Sequence, residues 1–251
     1  MKSFFSSLGA FAIYSVQVLR RVGSGGYGTR AVTHQMHRIG VESLSVVNLC
    51  AFAIGLVLVV QTSALLARFS AKAEMPTIIG VSFVREIGPI FAAIMFCGRV
   101  GTGIAAEIGS MVVTEQIDAY RAFGTDPLTK LAVPRVLAMT LMLPALTIIA
   151  CVVGISSGYF VTLLNRESIS GFLYVEHSLS QLSRVDILGV LLKGASFGAA
   201  IGLIATYVGF RTPPATEAVG ISATNTMVRS VLAVLVLDIV LTQALLMAGG
   251  H

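Results

Sequence analysis

The chain has 251 residues, 55% of them hydrophobic and 12% charged, with a mean hydropathy of +0.88. A soluble domain carries about twice that charged share, so a water-soluble globule is excluded, and several apolar runs reach the ~20 residues that cross a bilayer. The formal charge of +5 does not point to nucleic acid. Lys2, Arg20, Arg21, Arg30 and Arg38 fall in the first 41 residues, which hold no Asp or Glu, and this bias predicts a cytoplasmic N-terminus by the positive-inside rule.

In chain order, residues 1–20 have two readings. Ala10-Phe11-Ala12 has the form of a signal-peptide cleavage site, but Phe4, Leu8, Phe11 and Val18 share a face at helical spacing and Arg20-Arg21 closes the segment. An interfacial helix is the favoured reading. Gly23-Ser24-Gly25-Gly26-Tyr27-Gly28 satisfies G-x-G-x-x-G, yet no apolar strand precedes it, so it reads as a connector. A similar run, Gly101-Thr102-Gly103-Ile104-Ala105-Ala106, lies inside an apolar stretch and reads as helix-contact positions.

The first span is expected from Ser43 to Ala67, followed by a polar loop from Arg68 to Glu74. The next apolar stretch, Pro76 to Val113, would be roughly 55 Å long as a straight helix against a hydrocarbon core of ~30 Å, so a bend is expected at Gly88-Pro89. A third span follows from Leu131 to Leu164, with Pro134 and Pro144 inside it. Residues 165–186 read as an exposed connection, Ile187 to Phe210 as a fourth span, and Val228 to Met247 as a fifth. Five crossings from a cytoplasmic N-terminus put the C-terminus outside; splitting the second stretch would give six and return it to the cytoplasm. Gly194, Gly198 and Gly202 lie along one stripe, as do Gly154 and Gly158, and predict close helix packing.

Charges inside apolar runs are costly and need partners or water. Arg85 and Glu86 are adjacent, so they point in different directions and suit a polar patch on a substrate path. Arg99 and Glu107 read as intramembrane polar pairing, and Lys193 and Asp238 as groups that snorkel or pair. No Walker motif, H-E-x-x-H or G-x-S-x-G is present, Cys50, Cys97 and Cys151 lie in apolar runs, and no nucleophile or metal set accompanies the carboxylates. No catalytic residue and no metal site is assigned. Residues Glu115 to Pro127 are different: a short amphipathic helix with acidic residues in its first turns, carrying Ile117, Tyr120 and Phe123, is suited to docking in a groove of a soluble partner.

Arg85-Glu86-Ile87-Gly88-Pro89, Gly98-Arg99-Val100-Gly101, Ala106-Glu107-Ile108-Gly109 and Thr114-Glu115-Gln116-Ile117-Asp118-Ala119 together closely resemble the MlaE-type permease family. The likeness continues through Asp126-Pro127, Pro134-Arg135, Val219-Gly220-Ile221-Ser222-Ala223-Thr224 and Leu232 to Asp238. It covers roughly residues 40–247, and the chain departs from the family at Thr216-Glu217-Ala218, where a stretch such as Ala-Glu-Gly is usual.

The resemblance implies an all-α, five-span inner-membrane protein with an N-terminal interfacial helix. Residues 1–35 would be that segment and 36–251 the permease domain. It implies a homodimer working with a cytoplasmic ABC ATPase that carries the ATP and Mg, a periplasmic hexameric MCE protein and a STAS-domain subunit, moving phospholipids to maintain outer-membrane lipid asymmetry. Leu58, Gln61, Leu65, Leu66, Phe69, Arg85 and Glu86 would line the lipid cavity, and Glu115, Asp118, Ala119, Tyr120, Asp126 and Pro127 would belong to the coupling helix that meets the ATPase. The rival reading is a stand-alone proton-coupled carrier in which Glu86, Arg99 and Glu107 form a relay.

Overall fold

The computed structural model describes residues 2–164 and 171–249. Among them the chain is all helical. The elements are α1 (Lys2–Ser24), α2 (Thr29–Ala67), α3 (Met75–Ser82), α4 (Gly88–Phe96), α5 (Thr102–Val113), α6 (Gln116–Ala122), α7 (Val133–Leu164), α8 (Gly171–Ser180), α9 (Arg184–Phe210) and α10 (Thr216–Gly249). Five helical stretches are long and apolar enough to cross a membrane: Thr29–Ala67, Lys72–Val113, Leu128–Leu163, Arg184–Phe210 and Thr216–Met247. The protein is therefore an all-α, multi-pass membrane protein.

The spans run past the expected boundaries because apolarity marks only the part in hydrocarbon. α2 starts 14 residues before Ser43 and α10 starts 12 before Val228, and the first turns of each carry more polar residues than the rest of the helix. The Thr216-Glu217-Ala218 departure lies in the first turn of α10.

The second span contains two widened turns. Wide π turns occupy Phe83–Ile87 and Cys97–Gly101, joining α3 to α4 and α4 to α5. The first ends where Gly88-Pro89 was expected to break the helix. Pro89 has no N–H to offer, and the chain absorbs that loss within a continuous helical stretch.

α7 lies between α2 and α9, while α10 packs on α9 and α5. The shared core includes Val47, Phe96, Ile108, Met139, Leu143 and Phe197. Close approach of α7 and α9 depends on the glycine stripe: a Cβ on Gly198 would meet the Met139 carbonyl oxygen, and one on Gly194 would lie 2.7 Å from Pro144 Cα. The stripe is therefore used within one chain.

The exposed connection expected at 165–186 contains α8, with residues 165–170 outside those described. Tyr174 and Ser178 are buried under it, whereas Phe172, Leu173, Val175 and Leu179 face outward. The Tyr174 hydroxyl donates to the Ile155 carbonyl, and Thr77 Oγ1 donates to the His177 carbonyl, fixing α8 against α7 and α3. At the other end of the bundle α1 buries Val18 against Val133 and Val136, and its Phe11 and Tyr14 rings meet the edge of Tyr207. Leu8, Ile13, Val16 and Leu19 of α1 point away from the protein.

Candidate functional site

The absent N–H of Pro89 has a chemical consequence one turn earlier. In a regular helix that N–H would bond the carbonyl of Arg85, which is left without its usual donor. Lys193 of α9 fills the place: its Nζ donates to the Arg85 carbonyl oxygen at 2.8 Å. The ammonium is 2% exposed, and it also donates to Glu86 Oε2 at 2.9 Å and lies 2.9 Å from Asp238 Oδ1 of α10. The Asp238 contact completes an ion pair with Lys193. Thr242 Oγ1 donates to the second Glu86 oxygen at 2.9 Å. One buried cation thus ties three spans together through two carboxylates, an arrangement stable in low dielectric only while every partner is present.

Arg85 turns the other way, as its neighbour's position requires. It forms a two-point bridge with Asp186, Nε to Oδ1 at 2.7 Å and Nη2 to Oδ2 at 3.2 Å. Asp186 also caps α9: its Oδ2 accepts from the Ser183 N–H and hydroxyl, while Ser183 Oγ accepts from the Asp186 N–H. Arg85, Glu86, Asp186, Lys193 and Thr242 line one pocket of about 430 Å³ together with apolar side chains such as Val190 and Leu245. A charged floor under an apolar wall can hold an amphiphile by its polar end.

Leu58, Gln61, Leu65, Leu66 and Phe69 lie in the same half of the bundle but do not line this pocket within one chain. Leu58 and Leu66 are half-buried against a cluster containing Val59, Met75 and Tyr174. Gln61 faces outward, Leu65 is 56% exposed and Phe69 73%.

Arg99 and Glu107 do not pair with one another. Arg99 meets Glu42 of α2 at 3.5 Å, and Glu107 is held by Arg135 at 2.7 Å and Arg38 at 3.1 Å. Both line a separate small pocket that does not include Glu86. The three groups of the relay reading are therefore split between two sites.

In the segment expected to dock, Glu115 adopts the left-handed conformation, φ 58°, and starts α6 with a sharp turn out of α5. Ile117 is buried and anchors α6, Ala119 is exposed, and Tyr120 is half-buried. Asp118 and Arg121 form an exposed pair at 2.8 Å, and Phe123 is 86% exposed. Asp126 accepts from the N–H groups of Leu128 and Thr129, from Thr129 Oγ1 and from Arg21 of α1, with Pro127 buried beside it. Burial opposes ionisation of this carboxyl, but the Thr129 and Arg21 hydrogen bonds outweigh it and hold its pKa below the ordinary value.

Sequence reasoning missed Asp186, Thr242, Glu42, Arg38 and Arg135 as partners. The readable signal was the pairing of Pro89 with Lys193: a proline inside a span frees a carbonyl, and a lone lysine in a distant span needs an acceptor.

A multi-pass helical membrane protein with a buried charge network in one half and an exposed short helix at the other end is the class this architecture defines. The Permease MlaE family profile matches residues 32–244. The chain belongs to the MlaE permease family. It is 32% identical over 258 residues to the Haemophilus influenzae intermembrane phospholipid transport system permease protein MlaE, covering 98% of this chain and 99% of that one. A probable ABC transporter permease protein of Rickettsia felis is 32% identical over 240 residues, 96% and 92% of the two chains. Arabidopsis thaliana protein TRIGALACTOSYLDIACYLGLYCEROL 1, chloroplastic, is 30% identical over 241 residues, 95% of this chain and 68% of that one.

Proposed function

We propose that the chain is the non-catalytic membrane subunit of an ABC transporter for phospholipids, lying in a bacterial inner membrane with its N-terminus cytoplasmic and its C-terminus periplasmic. A partner ATPase supplies ATP and Mg chemistry, and a periplasmic hexameric MCE protein and a STAS-domain subunit complete the assembly that maintains outer-membrane lipid asymmetry. The names of the Haemophilus and Rickettsia relatives support the transport and ABC parts of this reading.

The observation that carries the coupling step is α6. It is anchored by buried Ile117, yet it leaves Phe123 and the Asp118–Arg121 pair outside, at the end of the bundle opposite the Arg85 pocket. An exposed aromatic on a rigidly held short helix suits a groove in a soluble motor. The outward faces of α2 and α10, with Val57, Val60, Leu65, Leu232, Val236 and Ile239 exposed, suit lipid and a second copy of the chain. A homodimer built on the α2 face would bring Leu58, Gln61, Leu65, Leu66 and Phe69 towards a shared lipid cavity, with Arg85 and Glu86 near the headgroup.

The test is affinity recovery of the tagged chain from membranes. A nucleotide-binding subunit should copurify, and Phe123→Asp should remove it while the permease still folds. Equal recovery with that variant, or substrate uptake by the purified chain driven only by a pH gradient, overturns the reading. Leu65→Ala and Phe69→Ala should reduce copurified phospholipid severalfold.

A further inference from the structure

At the α1 end of the molecule, far from the Arg85 network, a third pocket of about 220 Å³ lies between α1, α6 with the segment after it, and the end of α9. Its walls include Tyr14, Arg121, Asp126, Tyr207 and Arg211. Three facts set its charge. The Asp126 carboxylate is already engaged by Arg21, Thr129 and the Leu128 N–H. Among the described residues Arg121 is paired with Asp118, in a pair whose side chains are 66% and 69% exposed, and such pairs release easily. Arg211 rests its guanidinium over the Tyr207 ring at 4.7 Å and meets no carboxylate among the described residues.

Arg121 and Arg211, from different elements, therefore line one pocket whose lining carboxylate, Asp126, is engaged by Arg21. Planar guanidinium forks match phosphate oxygens, and an aromatic platform fixes one of them in orientation. The surroundings set the depth. Leu8, Ile13, Val16 and Leu19 of α1 are each about half exposed or more and face away from the protein, as expected of a helix lying at the boundary between headgroups and acyl chains.

We propose that this pocket binds a phosphate group, with Arg211 and Arg121 as its cations. The phosphate has two possible sources with the same chemistry: the headgroup of an anionic lipid running along α1, or a water-soluble phosphate. Occupancy joins the end of α9 to α6, beside the Arg21–Asp126 pair that links α1 to the segment after α6. The inference goes beyond the transport reading, and because Arg121 also belongs to the α6 face offered to the ATPase, it is tested on the chain without that partner.

The experiment uses the full chain in neutral detergent, titrated with dihexanoylphosphatidic acid, dihexanoylglycerol or inorganic phosphate and followed by thermal melting. Phosphatidic acid should raise the Tm saturably, and Arg211→Gln combined with Arg121→Gln should weaken its apparent Kd at least tenfold. Arg30→Gln, on the same side of the protein, should leave it unchanged. Stabilisation by inorganic phosphate with equal sensitivity to the two arginines supports the site with a soluble source; stabilisation by phosphatidic acid alone supports a lipid source. If Arg211→Gln folds poorly, exposed Arg121→Gln alone and the charge-keeping Arg211→Lys carry the comparison, with weakening expected in both. Dihexanoylglycerol acting as well as phosphatidic acid, or binding indifferent to these substitutions, overturns the proposal.

Discussion

Lys193 is the residue on which the most depends. Its ammonium serves a carbonyl freed by proline and two carboxylates, and it is almost wholly buried. Lys193→Met fits the volume but strands Glu86 and Asp238 without a cation, which should cost about 3–5 kcal/mol. Adding Glu86→Gln and Asp238→Asn to that variant should restore much of the loss, because neutral amides need no counter-charge; melting in detergent measures both steps. Asp126 gives the pH-dependent counterpart. Its folded pKa lies below the ordinary 3.8, so its contribution is complete above that value and is lost as the pH falls through the lowered one. Asp126→Asn should therefore lower stability by about 0.5–1 kcal/mol at pH 7, and the gap to the native chain should narrow as the pH falls below the ordinary carboxylate value. Arg85 and Glu86 were legible as a divergent pair from adjacency alone. Their partners were not, because Asp186 sat in a segment that reads as exposed polar chain and only the fold reveals it as a helix cap.

Among the elements, α7 and α9 show how spacing encodes contact. Gly198 lies against the backbone of α7, whereas a Cβ on Gly220 would meet nothing within 4 Å. Gly198→Leu should prevent recovery of folded protein or cost more than about 3 kcal/mol by forcing the helices apart, and Gly220→Ala should be neutral or slightly stabilising. Expression level and melting of the two variants check this contrast. The glycine stripe was readable because its period matches the helix, although its partner helix was not. The π turns of the second span were not readable: composition fixes that a stretch from Pro76 to Val113 is too long to stand straight, but not whether it kinks or widens. α8 was missed for another reason. Its apolar residues face outward and its buried positions are Tyr174 and Ser178, the reverse of the pattern that announces a packed helix.

For the whole molecule, the five candidate spans set the relation between the ends. A reporter fused after residue 251 should be accessible from the periplasm and one before residue 1 from the cytoplasm; C-terminal labelling only from the cytoplasmic side would break the proposed topology. The hydropathy pattern carried this count well, since each crossing must satisfy its backbone inside its own helix and so needs a long apolar run. It carried sidedness only through the basic N-terminal segment. The share of each span that the protein itself covers was hidden: α7 and α9 are half buried over their apolar windows, α10 much less, and only packing distinguishes lipid-facing from protein-facing leucines.

The two oxygens of Asp186 divide their duties unequally. Oδ2 takes both Ser183 donors and the longer Arg85 contact, while Oδ1 takes the shorter one. The Arg85 guanidinium can therefore let go while both Ser183 donors stay on Oδ2, so opening that bridge need not unravel the start of the fourth crossing.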